Sequence, residues 1–187
     1  MIHSSRELNG RVARFDRLDA IEAQSGCELP LHVCDLIWSR RLLPVITLGG
    51  SADGPFGKKA PINGAGGLSM TYAVCPSGTG PSLHAHRHTY ETFTVMRGRF
   101  EFSAGETGDE KVVLEPLDVV SVEPGVYRAF KNVSDEVGVL QVLITGGEHN
   151  EKDIYFPAST AKQISDCDPK YLEYFEKRGL RFEEASD

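Results

Sequence analysis

Between Leu68 and Thr145 the chain is written in short apolar runs with frequent breaks. MTYAVC, ETFTVM, RFEF, KVVL, DVVSV, YRAF and VGVLQVLIT are rich in β-branched and aromatic residues. Between them stand PSGTGPS, Arg97-Gly98, SAGETGDE, EPLD, EPG and NVSDE, built from residues that favour turns. Many short strands joined by short turns predict an antiparallel sandwich or barrel, so the expected fold class is all-β. The alternation is legible residue by residue: Glu91, Phe93 and Val95 share one face, and Thr92, Thr94 and Met96 the other.

The flanks read differently. Asp16 to Gln24 is predicted as a short helix, with Phe15, Leu18 and Ile21 on one side and Gly26 ending it. LLPVITL, residues 42–48, reads as a buried strand, and the glycine-dense stretch 49–67 as a loop. That loop is not a phosphate-binding motif. Counting back from Gly57-Lys58, the first glycine would fall at Ala52, and Lys59 stands where Ser or Thr is needed. In DCDPKYLEYFEKRG, Asp168 suits an N-cap and Pro169 the first helical position, with Leu172 and Phe175 on the apolar face and Gly179 at the end. The expected organisation is an arm and glycine-rich loop over 1–66, a barrel over 67–147, and a helical tail over 148–187.

Composition narrows the partners. A chain of 187 residues is expected to form one domain with a proper core. A net charge of -7 without a Lys/Arg-rich run argues against nucleic acid or an anionic membrane surface. The opening MIHSSRELNGRVARFDRL lacks the uninterrupted apolar core of a secretory signal, and no apolar stretch approaches a membrane span. Cys27, Cys34, Cys75 and Cys167 are scattered without a CxxC pair, which suits unpaired thiols in a reducing cytoplasm. No GxSxG elbow supports a Ser-His-Asp hydrolase, and no helix-turn-helix pattern accompanies the strands.

The chemistry concentrates in GPSLHAHRHTYETFTVMRGRF, residues 80–100, which holds three of the six histidines. His84 and His86, two apart on a strand, project to the same face, and Glu91 on the next strand can fold back to join them. Imidazole plus carboxylate, without thiolate, suits Fe(II), Mn, Ni, Co or Zn. A solvated histidine turn is the competing reading of the same residues.

The surroundings of this run resemble the first signature of the cupin superfamily: Gly78, His84, His86, Glu91 and Gly98 all fall at its spacing. The stretch LDVVSVEPGVYRAFKN, 117–132, is similar to the second signature through Asp118, Pro124, Gly125 and Asn132. It departs from the pattern twice. Leu117 occupies the usual glycine position, and Arg128 stands where metal-binding members carry a fourth ligand, a histidine. The resemblance implies a jelly-roll β-barrel with the site in its mouth, short helical extensions at both ends, and a homodimer. It does not fix the reaction, because cupins include dioxygenases, decarboxylases, isomerases and plain binding proteins.

Arg128 leaves three readings open, since a guanidinium stays charged and ligates no metal. His84, His86 and Glu91 alone hold a divalent transition metal, with Fe as first choice, and Arg128 clamps an anionic substrate. His88 replaces the missing ligand. Or the metal is lost, and Arg128 pairs with Glu91 inside the barrel. The first gives a metal-dependent oxidoreductase, a dioxygenase-like enzyme acting on a small organic anion. The last gives a metal-free protein that binds or isomerises a small molecule such as a sugar derivative. Phe93 and Gln141 are further candidates to touch the substrate, weighed against core packing for Phe93 and an outward edge position for Gln141. Tyr72, Phe100, Phe102 and Phe130 read first as core, Cys75 as a buried thiol, and His3, His32 and His149 as surface residues.

Overall fold

The computed structural model describes residues 8, 10–21, 28–47, 60–64, 67–146 and 153–183. A 3-10 turn at Phe15–Arg17 is followed by helix α1 (Leu31–Cys34) and strands β1 (Arg41–Thr47), β2 (Ile62–Asn63) and β3 (Leu68–Cys75). Strands β4 (Ala85–His86), β5 (Tyr90–Arg97), β6 (Phe100–Ala104), β7 (Glu110–Leu114), β8 (Val119–Val122), β9 (Arg128–Asn132) and β10 (Gly138–Thr145) come next. The tail holds β11 (Ile154–Pro157), helices α2 (Ala158–Cys167) and α3 (Pro169–Lys177), and β12 (Phe182–Glu183). Each of the seven apolar runs between Leu68 and Thr145 lies in a strand of its own. Among the described residues no helix is long and apolar enough to cross a membrane.

Three sheets form, with strand orders β2-β1-β3-β10-β5-β8, β7-β6-β9 and β12-β11-β4. The predicted alternation holds on β5, where Glu91, Phe93 and Val95 are buried and their neighbours are not. Register carries it across the sheet: Glu91 pairs with Ile144, Phe93 with Val142 and Val95 with Leu140. All six residues therefore share the inner face.

The expected all-β jelly roll is present in its strands, but its sheets do not close into a barrel. The large sheet ends at β8 and the small one at β7. The two face each other as a sandwich and join by packing more than by hydrogen bonds. Phe93 from the large sheet stacks against Phe102 and Phe130 from the small one, with ring centroids 5.1 and 5.2 Å apart. Ala73, Leu140, Val142 and Ile144 complete this core with Phe100. Phe93 is thus a core residue, fully buried between the sheets.

The flanks contribute a second core. Val33 and Ile37 pack with Phe156, Ile164 and Phe175, joining the segment around α1 to the C-terminal helices. Trp38 meets Phe175 edge-on at 5.5 Å. The tail helix predicted from its sequence is present as α3, with Pro169 at its first position and the Asp168 carboxylate accepting from the Lys170 N–H at 2.9 Å. Gly179 follows with φ of 90°. The tail is nevertheless not helical alone, because β11 pairs antiparallel with β4. Among the described residues the helix predicted over Asp16 to Gln24 is reduced to the 3-10 turn at Phe15–Arg17. After Arg17 the chain extends, and Ile21 bridges Leu42 through hydrogen bonds of 2.7 and 3.1 Å. Pairing with β1 overrides a weak local helix preference. Its predicted end at Gly26, together with Cys27, His3, His149 and most of the 49–67 loop, lies outside the described residues.

One turn carries strain. Glu115-Pro116-Leu117-Asp118 is closed by the Asp118 N–H donating to the Glu115 carbonyl at 3.0 Å. Its third residue, Leu117, has φ of 78° and an exposed side chain. Proline at the second position and a positive φ at the third describe a turn that favours glycine there. Returning glycine to this position should relieve roughly 1–2 kcal/mol of left-handed strain, against about 0.4–1 kcal/mol of added unfolded-state freedom. Leu117→Gly is accordingly expected to raise Tm by about 2 °C, measured by thermal denaturation, and a fall in Tm would contradict the strain.

The cysteines differ in environment. Cys34 and Cys75 are buried and Cys167 is exposed, all as free thiols. Burial pushes the Cys75 thiol up to about 12, a rise that a hydrogen bond with Ser39 only partly offsets. At pH 8 a thiol reagent should modify Cys167 in the native protein and reach Cys75 only after denaturation, as peptide mass mapping would read out.

Candidate metal centre

Three separate segments build the site. Glu91 is placed at the end of the inner face of β5 by the register that buries Phe93 and Val95. His84 is locked opposite Arg128, each backbone N–H donating to the other residue's carbonyl at 3.0 and 2.9 Å. His86, two residues on in β4, keeps the parity of His84, and the Gly125 N–H donates to its carbonyl at 2.8 Å. A turn of three residues then returns the chain to β5.

His84, His86 and Glu91 come together. One candidate ligand atom from each lies within 4.8 Å of the others, and all three residues are buried. His84 Nε2 and His86 Nε2 stand 3.7 and 3.4 Å from the same oxygen, Glu91 Oε2. Both imidazoles are held from behind. His84 Nδ1 donates to the Ser82 carbonyl at 2.9 Å. His86 Nδ1 lies 2.9 Å from Thr89 Oγ1 and 3.0 Å from Asp153 Oδ2. Lone-pair atoms that converge in this way repel one another unless a cation or a proton stands among them. Two imidazole nitrogens and a carboxylate oxygen are a donor set for a divalent transition metal, so the residues present fit one.

Arg128 enters the same cluster and is fully buried. Its Nε donates to Glu91 Oε2 at 3.0 Å and its Nη1 to the Val126 carbonyl at 2.9 Å. Its Nη2 is buried without a hydrogen-bond partner. Burial by itself would raise the Glu91 carboxyl. His86, His84 and the Arg128 guanidinium outweigh that and hold it well below the usual carboxylate range. Burial lowers the His86 imidazole, although Glu91 and Asp153 oppose the shift. At neutral pH Glu91 is therefore ionised.

The other candidates lie elsewhere. His88 is exposed in the turn between β4 and β5, so it does not complete the ligand set. Gln141 pairs with Thr94 and Tyr72 in the sheet, off the inner face of its neighbours Leu140 and Val142, and its Nε2 donates to Met70 Sδ at 3.4 Å. Strand alternation directs it away from Glu91. Sequence reasoning missed Asp153, Thr89 and Ser82. Asp153 is separated from His86 by 67 residues, and no local pattern announces the contact.

The family model described as "Cupin domain" matches residues 71–145. Residues 71–145 are a cupin domain. The match takes in β3 to β10, and with them His84, His86, Glu91 and Arg128, while Asp153 falls beyond it. Among solved structures, the cupin domain of Schizosaccharomyces pombe Cnp3 aligns at 13% identity and TM-score 0.45, over 57% of this chain and 64% of its own. A Klebsiella pneumoniae protein with a double-stranded β-helix domain aligns at 21% identity and TM-score 0.41, over 44% of this chain and 70% of its own. A Thermotoga maritima protein described as a predicted oxalate decarboxylase aligns at 18% identity and TM-score 0.39, over 42% and 65%. No curated protein matches the chain.

The Arg128–Glu91 pair is directly testable in this cupin domain. Arg128→Met leaves a buried carboxylate without its guanidinium and should cost about 3–5 kcal/mol in urea unfolding. Adding Glu91→Gln to it should recover most of the loss. A single substitution costing less than about 1 kcal/mol would show that the pair is not what compensates Glu91.

Proposed function

We propose that this protein is a metal-dependent cupin enzyme, an oxygenase acting on a small organic anion. The observation that carries the reading is the convergence of His84 Nε2 and His86 Nε2 on Glu91 Oε2, with the far side of each ring bonded away from the centre. His84, His86 and Glu91 would hold the metal, which supplies Lewis-acid and dioxygen chemistry at positions that the protein leaves open. Fe is the first choice for such a set, with Mn, Ni, Co and Zn as alternatives.

The protein's own contribution lies in binding and orientation. Arg128 spends Nε on Glu91 and Nη1 on Val126, and keeps Nη2 as a buried donor. An unpaired buried donor costs about 1–3 kcal/mol, which a carboxylate or enolate oxygen of the substrate would recover. Arg128 thus both compensates Glu91 and selects an anion.

A second reading is favoured by the 3.0 Å Arg128–Glu91 contact. In it the pair replaces the metal, and the domain binds or isomerises a small molecule such as a sugar derivative.

Elemental mass spectrometry on untagged protein from metal-supplemented medium separates the two. The metal reading expects about one transition metal per chain, lost in a folded His86→Ala variant. Well-folded wild-type protein without metal after reconstitution would leave only the second reading. With metal bound, Arg128→Lys keeps the charge beside Glu91 but loses the planar fork. It should raise KM for small carboxylates about tenfold while metal content is unchanged.

A further inference from the structure

The most constrained residue near the site belongs to the tail. Asp153 is almost completely buried, immediately before β11. Its Oδ1 accepts from the His88 N–H at 2.8 Å, and its Oδ2 accepts from the Thr89 hydroxyl at 2.6 Å. The same Oδ2 lies 3.0 Å from His86 Nδ1, and the Asp153 carbonyl accepts from the Arg87 N–H at 2.8 Å. One residue thus grips four consecutive positions, 86 to 89, between the second candidate ligand and the strand carrying the third. β11 holds it there by pairing Ile154 with His86 and Tyr155 with Ala85.

We propose that Asp153 is a positioning residue for the candidate centre, one that fixes the ring orientation and the tautomer of His86. A carboxylate accepts only, and the Thr89 hydroxyl has a single hydrogen, which it gives to Asp153. A ring nitrogen at hydrogen-bond distance from a carboxylate oxygen has to be the donor, so Nδ1 carries the hydrogen and gives it to Asp153. The lone pair of the neutral ring is thereby on Nε2, the atom that faces Glu91 Oε2 at 3.4 Å. Carboxylate–imidazole support of this kind holds a ligand ring and raises its basicity. Because Asp153 lies beyond residues 71–145, the supporting group comes from outside the matched cupin domain.

The test uses the full chain without metal and then with Ni(II) alone. Proton–nitrogen NMR of the histidine rings in wild-type protein should find His86 protonated at Nδ1 and unprotonated at Nε2. In Asp153→Asn, whose amide can donate to Nδ1, the ring should shift toward the opposite tautomer. Ni(II) affinity by calorimetry should fall about 10–100-fold, with circular dichroism unchanged. An Nε2–H tautomer in wild-type protein overturns the proposal, and that measurement needs no variant to fold. So does a folded Asp153→Asn protein with an unaltered His86 ring. The proposal rests on the metal reading for its purpose but not for its test. If wild-type protein binds no Ni(II) while the ring follows Asp153, positioning stands and the metal reading fails.

Discussion

A carboxylate at the end of an apolar strand face is what the architecture has to accommodate. Glu91 follows the parity of Phe93 and Val95, so the register that builds the core also buries a charge. An ion of that size cannot be taken from water without compensation. Arg128 supplies it directly, its Nε donating to Glu91 Oε2 at 3.0 Å. The His84–Arg128 backbone pair ties the segment carrying His84 and His86 to the start of β9, and the guanidinium is held separately by its bonds to Glu91 and the Val126 carbonyl.

The same guanidinium stands where the chain departs from the second cupin signature. A histidine in this position would supply a neutral fourth ligand. Arginine instead brings a permanent cation, which tightens Glu91 but reduces the need for a metal beside it. The two effects oppose each other around one oxygen, Glu91 Oε2, which is 3.0 Å from Arg128 Nε and 3.4 Å from His86 Nε2. Nη2 of the same side chain stays buried without a hydrogen-bond partner.

The second departure, Leu117, has a purely conformational consequence. The turn retains its left-handed third residue although the side chain there is leucine, because the hydrogen bonds closing it also clip it to β5. The Leu117 N–H donates to the Val95 carbonyl and the Val95 N–H to the Asp118 carbonyl, at 2.8 and 3.1 Å. At the neighbouring Arg97-Gly98 turn glycine is not negotiable. A Cβ on Gly98 would stand 2.8 Å from Ser134 Oγ and 3.1 Å from Gly138 Cα. Crowding separates the two turns: one opens to solvent, the other packs on a neighbouring strand.

Local patterning specifies the strands from Leu68 to Thr145, the inward parity of Glu91, and the shared face of His84 and His86. These depend on period-two alternation and on turns between near neighbours, which are local properties of the chain. It also determined α3, whose cap and breaker are adjacent residues. The tertiary fold decides whether the sheets close, through pairing and packing between distant strands. It decided that Phe93 packs in the core, that Gln141 lies off the inner face, and that His88 remains exposed in its turn. It alone brought Arg128 onto Glu91 and Asp153 behind His86. Contacts across 37 and 67 residues are set by sheet pairing and burial, and no pattern within a strand can encode them.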